Sequence, residues 1–181
     1  LMAYQQWLLI LILIAALSIL LGNVVAIMQT SIKRLLAYSS IAHMGYLLLG
    51  FIAFTQTGLI AATFYLVIYI FTTIATFTAI ILLEGDRKNP VSTIDDLTGL
   101  NQVNPRLAAT LLISFFSLAG IPPMLGFFGK FAVLNALIDQ QYISLAVFAI
   151  IMSIVGCYYY INLIKTMYFS GPPVDTKLKK A

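Results

Sequence analysis

The feature that most restricts the fold of this 181-residue chain is a series of five apolar runs, each long enough to cross a lipid bilayer. A helix that crosses the hydrocarbon core needs about 20 consecutive apolar residues. The runs cover residues 7–28, 35–54, 59–83, 107–138 and 142–169. We therefore predict an all-α membrane protein with five transmembrane helices, in which residues 1–170 form the membrane domain and residues 171–181 form a basic tail.

The composition agrees with a bilayer and argues against two other classes of protein. Hydrophobic residues make up 61% of the chain and charged residues 9%, whereas soluble domains have about 45–50% apolar and about 25% charged residues. The single cysteine excludes a disulfide framework and a cysteine-based metal site. The basic residues flank the apolar runs instead of forming a stripe, so we expect lipid rather than nucleic acid as the surrounding partner.

The distribution of lysine and arginine predicts the orientation in the membrane. With five spans, the links after the first and third spans lie on the same side as the C-terminal tail, and cytoplasmic or matrix loops are enriched in basic residues. The opposite side contains no lysine or arginine, so we expect the N-terminus outside and the C-terminus inside. Nine basic residues are on the predicted inner side: Lys33, Arg34, Arg87, Lys88, Arg106, Lys165, Lys177, Lys179 and Lys180.

Lys130 is the one lysine or arginine deep inside an apolar run, since Lys165 lies near the end of the last run. It precedes the polar turn at Asp139 by nine residues, which places it roughly 13 Å below the outer surface of the hydrocarbon core. A lysine at that depth costs about 3 kcal/mol or more and is a functional-site hypothesis by default. The alternatives are that its side chain snorkels to the interface or pairs with an acidic residue for structural reasons.

The run that contains Lys130 is too long for one helix and is interrupted by Gly120, Pro122 and Pro123. Proline removes a backbone donor and clashes with the preceding turn, so we predict a helix broken at 120–123. Broken helices beside an ionisable residue are typical of transporters, although a simple kink or a re-entrant turn is the alternative. We place Lys130 in the first turn of the second half-helix, where the helix dipole and the dry surroundings both disfavour its charged form. A lysine in such a place is expected to exchange protons.

The single histidine, His43, lies about eight residues into the second run, near the same depth as Lys130. Ser39, His43 and Tyr46 share one helix face, with Ser40 beside them. Such a polar stripe either relays protons, because imidazole both donates and accepts, or joins two helices by a hydrogen bond. We interpret the threonines of the third run mostly as helix-packing residues and the Tyr158–Tyr160 triplet as packing or interfacial aromatics.

Two segments resemble the antiporter-like subunits of respiratory complex I. Residues 29–46 read QTSIKRLLAYSSIAHMGY, which closely resembles a segment of these subunits. Residues 117–131 read SLAGIPPMLGFFGKF, which is similar to the broken-helix segment of subunit 2 of this group. The resemblance implies that the five spans are the second of two inverted five-helix repeats, with Lys130 as its broken-helix lysine and His43 as its axis histidine.

The resemblance also implies a function and partners, whereas the expected compartment rests on the apparent split, the start at Leu1 and the Phe-, Ile- and Tyr-rich composition. It implies a proton-translocating membrane-arm subunit of NADH–ubiquinone oxidoreductase that contributes one half-channel and has no catalytic redox site. Flavin and iron–sulfur clusters are expected in partner subunits, and a separate chain with the first repeat of a split subunit is expected beside this one. We expect the mitochondrial inner membrane, with the N-terminus in the intermembrane space and the C-terminus in the matrix. The bacterial plasma membrane is the alternative compartment. Alternative functions are a cation/proton antiporter component outside the respiratory chain and a membrane-arm scaffold without transport.

Overall fold

The fold is entirely helical over the part of the chain that the structure, a computed structural model, describes, which is residues 2–84 and 92–171. Ser31 and Thr93 form an isolated backbone bridge, but no strand is present in these two ranges. The helices, with a short 3₁₀ turn at Asp95–Leu97 before α4, are α1 Met2–Ile27, α2 Ile32–Ile52, α3 Gln56–Glu84, α4 Leu100–Val103, α5 Pro105–Ala119, α6 Leu125–Asp139 and α7 Ile143–Phe169.

Four of these helices, α1, α2, α3 and α7, are long and apolar enough to cross a membrane. They correspond to the predicted runs 7–28, 35–54, 59–83 and 142–169. Most of the helix ends lie within a few residues of the ends of these runs. Many large apolar side chains on them are exposed, for example Leu17, Ile74 and Ile154. Side chains of this kind are stable against lipid tails or against the apolar surface of a neighbouring protein.

The predicted fourth run contains two helices of 15 residues each, α5 and α6. At 1.5 Å per residue each is about 22 Å long, which is less than the thickness of the hydrocarbon core. Helix α5 begins at Pro105, with the Asn104 side chain accepting a hydrogen bond from the Leu107 N–H at 3.3 Å. It ends because Gly120 has a φ of 81°, a left-handed conformation that glycine adopts without strain. Pro122 and Pro123 lie in the non-helical connection before α6.

Helix α2 is the innermost of the long helices and contacts α1, α3 and α6. More than half of its most apolar window is buried, at 56%, compared with 28% or less for the other three long helices. Glycines allow the close contact between α1 and α2: a side chain at Gly22 or Gly45 would meet the backbone of the other helix. Helix α2 therefore carries His43 at the centre of the bundle.

The end of the bundle where α2 begins is closed by the segment before α4. The 3₁₀ turn at Asp95–Leu97 lies in this segment, and both Leu97 and Leu100 are fully buried. An ion pair between Lys33 and Glu84 joins the ends of α2 and α3. The predicted basic tail beyond Gly171 and five of the nine predicted inner-side cations lie outside the described residues: Arg87, Lys88, Lys177, Lys179 and Lys180.

Candidate functional site

Lys130 is 7% exposed and its ammonium group lies inside the bundle, between α5 and α7. Nζ donates one hydrogen bond to the backbone carbonyl of Ala119 at 3.0 Å and another to Ser153 Oγ at 3.1 Å. It also lies 4.9 Å from the centre of the Tyr46 ring, a cation–π arrangement. The side chain therefore turns to protein groups, which disagrees with the snorkelling alternative in this structure.

The predicted effect of the helix dipole on Lys130 is wrong. We placed Lys130 in the first turn of the second half-helix, but α6 begins at Leu125, so Lys130 is its sixth residue. Its ammonium group instead reaches back to Ala119, the last residue of α5. The C-terminal end of a helix carries partial negative charge and favours a cation. Gly120 makes this contact possible, because a side chain there would come within 2.9 Å of Lys130 Cδ.

Removal of the Ser153 hydroxyl is expected to lower the stability of the folded protein. We predict that Ser153→Ala lowers the free energy of unfolding by about 1–3 kcal/mol, because a hydrogen bond to a buried charged group is lost. Ser144→Ala, at an exposed position of the same helix, is the matched control. We expect it to change the free energy of unfolding by less than about 0.5 kcal/mol. Thermal unfolding of both variants in detergent checks the prediction. Equal melting temperatures for the two variants would exclude a structural hydrogen bond at Ser153.

His43 is 4% exposed and is held by two tyrosine hydroxyls from different helices. Nδ1 lies 2.6 Å from the Tyr65 hydroxyl on α3, and Nε2 lies 3.3 Å from the Tyr160 hydroxyl on α7. The Tyr69 ring packs against the imidazole, with 5.0 Å between ring centres. His43 therefore does join helices, as one of the two sequence interpretations requires, and each of its ring nitrogens lies within hydrogen-bond distance of a hydroxyl group.

Lys130 and His43 line the same internal cavity, so the structure brings together the two residues that the sequence singled out. The cavity offers about 10 Å³ to the centre of a water molecule, which is roughly the space that one water requires. Hydroxyl groups surround it and could hold such a water. The other polar residues of its wall are Tyr65, Tyr69, Thr72 and Ser117.

A second small cavity of about 10 Å³ lies beside the first and shares Tyr69 and Leu118 with it. Its wall contains Ser39, Ser40, Thr73 and Thr76. The buried hydroxyl of Thr73 has no hydrogen-bond partner among the described residues, which is unusual for a buried polar group unless a water supplies the partner. These hydroxyls extend the polar path from His43 toward the end of the bundle where Lys33 pairs with Glu84.

The hydroxyl groups of the predicted polar stripe, on Ser39, Ser40 and Tyr46, have different hydrogen-bond partners. Ser39 accepts a hydrogen bond from the Tyr160 hydroxyl at 2.8 Å and is thereby linked to His43. Ser40 donates to the backbone carbonyl of Leu36 at 2.9 Å. The Tyr46 hydroxyl donates to the carbonyl of Ala149 at 2.8 Å, and the Tyr46 ring lies against the Lys130 ammonium group.

Sequence reasoning missed three residues that contact the two central groups: Tyr65, Ser153 and Tyr160. We interpreted Tyr160 as a packing or interfacial residue, and Tyr65 and Ser153 carried no local signal. Each contact joins residues at least 22 positions apart in the chain, so no helical spacing could have indicated it. Among residues 2–84 and 92–171, no group of three or more His, Cys, Asp or Glu side chains is arranged to hold a metal ion.

Comparison with known proteins gives a consistent result. The family described as NADH:quinone oxidoreductase/Mrp antiporter, transmembrane, matches residues 1–156. NADH-quinone oxidoreductase subunit N of Thioalkalivibrio sulfidiphilus is 45% identical over 178 residues, which are 98% of this chain and 37% of that protein. The corresponding protein of Methylovorus glucosotrophus is 44% identical over 96% of this chain and 36% of its own length. The chain thus spans little more than a third of these relatives.

Solved structures show the same similarity. A chain of respiratory complex I from Thermus thermophilus with bound aureothin superimposes with a TM-score of 0.82 and 34% identity, covering 94% of this chain and 38% of that one. A chain of the Mrp complex from Dietzia superimposes with a TM-score of 0.84 and 30% identity, covering 94% of this chain and 31% of that one.

Proposed function

Because this chain belongs to the NADH:quinone oxidoreductase/Mrp antiporter transmembrane family, we propose that it carries protons in the membrane arm of an NADH-quinone oxidoreductase. Its subunit N relatives are parts of that enzyme. One observation supports the proposal above all others: the buried ammonium group of Lys130 and the buried imidazole of His43 line one cavity with room for a water. Two groups that can each hold or release a proton, joined by one water, form a relay.

We propose that α5 and α6 together form a fifth, discontinuous membrane span. The two helices are each too short to cross alone, and their connection at 120–124 lies next to Lys130. Backbone that leaves the helical conformation inside a membrane is tolerated where it is buried in protein or lines a hydrated cavity. The free carbonyl end of α5 then serves as part of the proton site, because it accepts a hydrogen bond from the lysine.

The proposed relay takes up a proton at one of the two groups and passes it to the other through the cavity. The Lys130 ammonium group releases a proton when its surroundings change, and its neutral amine can take one back. His43, which lines the same cavity, accepts or donates a proton in turn. The hydroxyl groups around the second cavity extend the path toward the end of the bundle where Lys33 pairs with Glu84. These groups belong to Ser39, Ser40, Thr73 and Thr76.

We assign no redox cofactor to this chain and place flavin and iron–sulfur clusters in partner subunits. Since the relatives are about three times as long as the matched segment, the rest of the antiporter-like fold, joined to this segment or supplied by another chain, is proposed to complete the channel. The relatives come from bacteria, which favours the bacterial plasma membrane over the mitochondrial inner membrane. By the positive-inside rule, we propose that the end of the bundle that contains Lys33 faces the cytoplasm.

A cation/proton antiporter is the second candidate function, and the similarity to the Mrp complex chain favours it. Purification of the native assembly that contains this chain, followed by identification of the co-purifying chains, separates the two functions. We expect NADH-oxidising and quinone-reducing subunits, together with NADH-driven proton transfer in vesicles. An assembly without those subunits that exchanges sodium or potassium for protons in the absence of NADH would establish the antiporter instead.

A further inference from the structure

The hydrogen bonds around His43 run in one direction. Ser39 donates its only proton to the backbone carbonyl of Leu36 at 3.2 Å. Its oxygen is therefore an acceptor, and it accepts from the Tyr160 hydroxyl at 2.8 Å. A hydroxyl has one proton to donate. The only hydroxyl proton of Tyr160 is therefore donated to Ser39. Toward His43, the Tyr160 oxygen can act only as a hydrogen-bond acceptor.

This direction determines which nitrogen of the neutral imidazole carries the proton. Tyr160 can only accept, so the contact at 3.3 Å requires a proton on Nε2 of His43. In a neutral imidazole the other nitrogen is then an acceptor. Nδ1 must therefore accept the proton of the Tyr65 hydroxyl, at 2.6 Å. Tyr65 also lines the cavity that contains Lys130, so the unprotonated nitrogen is directed toward the lysine side of the site.

We propose that Ser39 and Tyr160 are positioning residues that hold neutral His43 as the Nε2–H tautomer, and that the Tyr65 hydroxyl passes the proton between the cavity and Nδ1. This inference rests on the proposed relay between Lys130 and His43. It assigns roles to three residues that lie within 3.3 Å of His43 or of its hydrogen-bonded partner.

The proton transfer balances without any charge on the tyrosine. The Lys130 ammonium group gives a proton to a water in the cavity, and that water gives one of its protons to the Tyr65 oxygen. At the same time the original phenol proton of Tyr65 moves to Nδ1 of His43. The products are a neutral lysine amine, a neutral tyrosine and a doubly protonated imidazole. The reverse sequence returns each proton to its starting atom.

The single histidine of the chain allows a direct test. The full chain is produced with ¹⁵N-labelled histidine and reconstituted in lipid bilayers, and the two ring nitrogens are observed by solid-state NMR. We expect a protonated Nε2 and an unprotonated Nδ1 that accepts a hydrogen bond. A neutral imidazole protonated on Nδ1 in the unmodified chain would overturn the proposal.

Two matched pairs of variants test the positioning residues. Ser39→Ala frees the Tyr160 proton to point at Nε2, so we expect the Nδ1–H tautomer to rise to a major population. Ser40→Ala is the control, since Ser40 donates to the same Leu36 carbonyl but does not contact Tyr160 in this way. Tyr160→Phe is expected to give a mixture of tautomers, whereas Tyr158→Phe removes a hydroxyl from an exposed side chain of the same helix and should leave the tautomer unchanged. Identical tautomer populations in all four variants would overturn the positioning role.

The role of Tyr65 is tested by transport in the assembled complex. Tyr65→Phe keeps the ring and removes the proton-carrying oxygen, so we expect proton transfer to fall by about tenfold or more. Tyr158→Phe, at an exposed position of α7, is expected to transfer protons at the rate of the unmodified complex. Unchanged transfer in Tyr65→Phe would overturn the proposed role of Tyr65. The tautomer measurement requires no transport, so a failure of the relay and a failure of the positioning network give different results.

Discussion

Replacement of Lys130 with methionine is expected to abolish most of the proton transfer of the assembled complex. Methionine has a similar length, is apolar and cannot hold a proton, so the relay loses one of its two exchanging groups. Acid–base groups of this kind contribute about 10²–10⁴-fold to the rate of proton transfer, and we expect a decrease of at least about tenfold. NADH-driven proton uptake by vesicles that contain the native assembly measures the effect.

The fold is expected to survive this substitution. A buried charge is costly to desolvate, and its replacement by an apolar side chain of similar size removes that cost while two acceptors, the Ala119 carbonyl and Ser153 Oγ, lose their donor. Lys165→Met, at an exposed position on α7, is the control and should keep full proton transfer. Normal transfer in Lys130→Met would support a membrane-filling scaffold, because a scaffold does not need the ammonium group.

Gly126→Ala is expected to have the largest effect on folding. Gly126 is buried in the first turn of α6 and its N–H donates to Ser117 Oγ at 3.2 Å. A methyl group at this position would overlap the backbone carbonyl of Ser117 on α5. Backbone atoms cannot move aside as a flexible side chain can, so α6 would have to separate from α5. We expect a loss of about 3 kcal/mol or more in the free energy of unfolding.

Thermal unfolding and the yield of assembled complex measure the effect of Gly126→Ala. Gly171→Ala is the control, because a side chain at Gly171 would meet no atom within 4 Å. We expect Gly171→Ala to behave as the unmodified chain does, and Gly126→Ala to assemble poorly. If the two variants had the same stability, α5 and α6 could not be packed as closely as the structure shows.

The long helices could be predicted from the sequence because their length and apolar composition are set locally. A bilayer-spanning helix needs only a long enough run of apolar residues, and α1, α2, α3 and α7 fall on four of the predicted runs. The expected depth of Lys130 in the membrane followed from its distance to the polar turn at Asp139 by the same reasoning, but the burial of its side chain in the protein did not. Its partners could not be predicted, because the Ser153 contact depends on how α6 packs against α7.

The contacts that were hardest to predict from the sequence are those of side chains that can reach more than one neighbouring helix. Helical spacing places Ser39, His43 and Tyr46 on one face of α2, but it does not say which helix each one meets. In the structure Tyr46 donates to α7 and His43 contacts both α3 and α7. The dipole prediction for Lys130 failed for a related reason. The long side chain places its charge near the end of α5, away from the start of the helix that carries it.

Lys130→Arg tests most directly whether this residue must exchange a proton or only supply a positive charge. Arginine keeps the charge, but its guanidinium group does not release its proton under working conditions. In assemblies with normal subunit content, the relay predicts that Lys130→Arg transfers protons at least about tenfold more slowly than the unmodified complex, as Lys130→Met does. Proton transfer by the arginine variant at the unmodified rate would contradict the relay and leave Lys130 as a fixed charge.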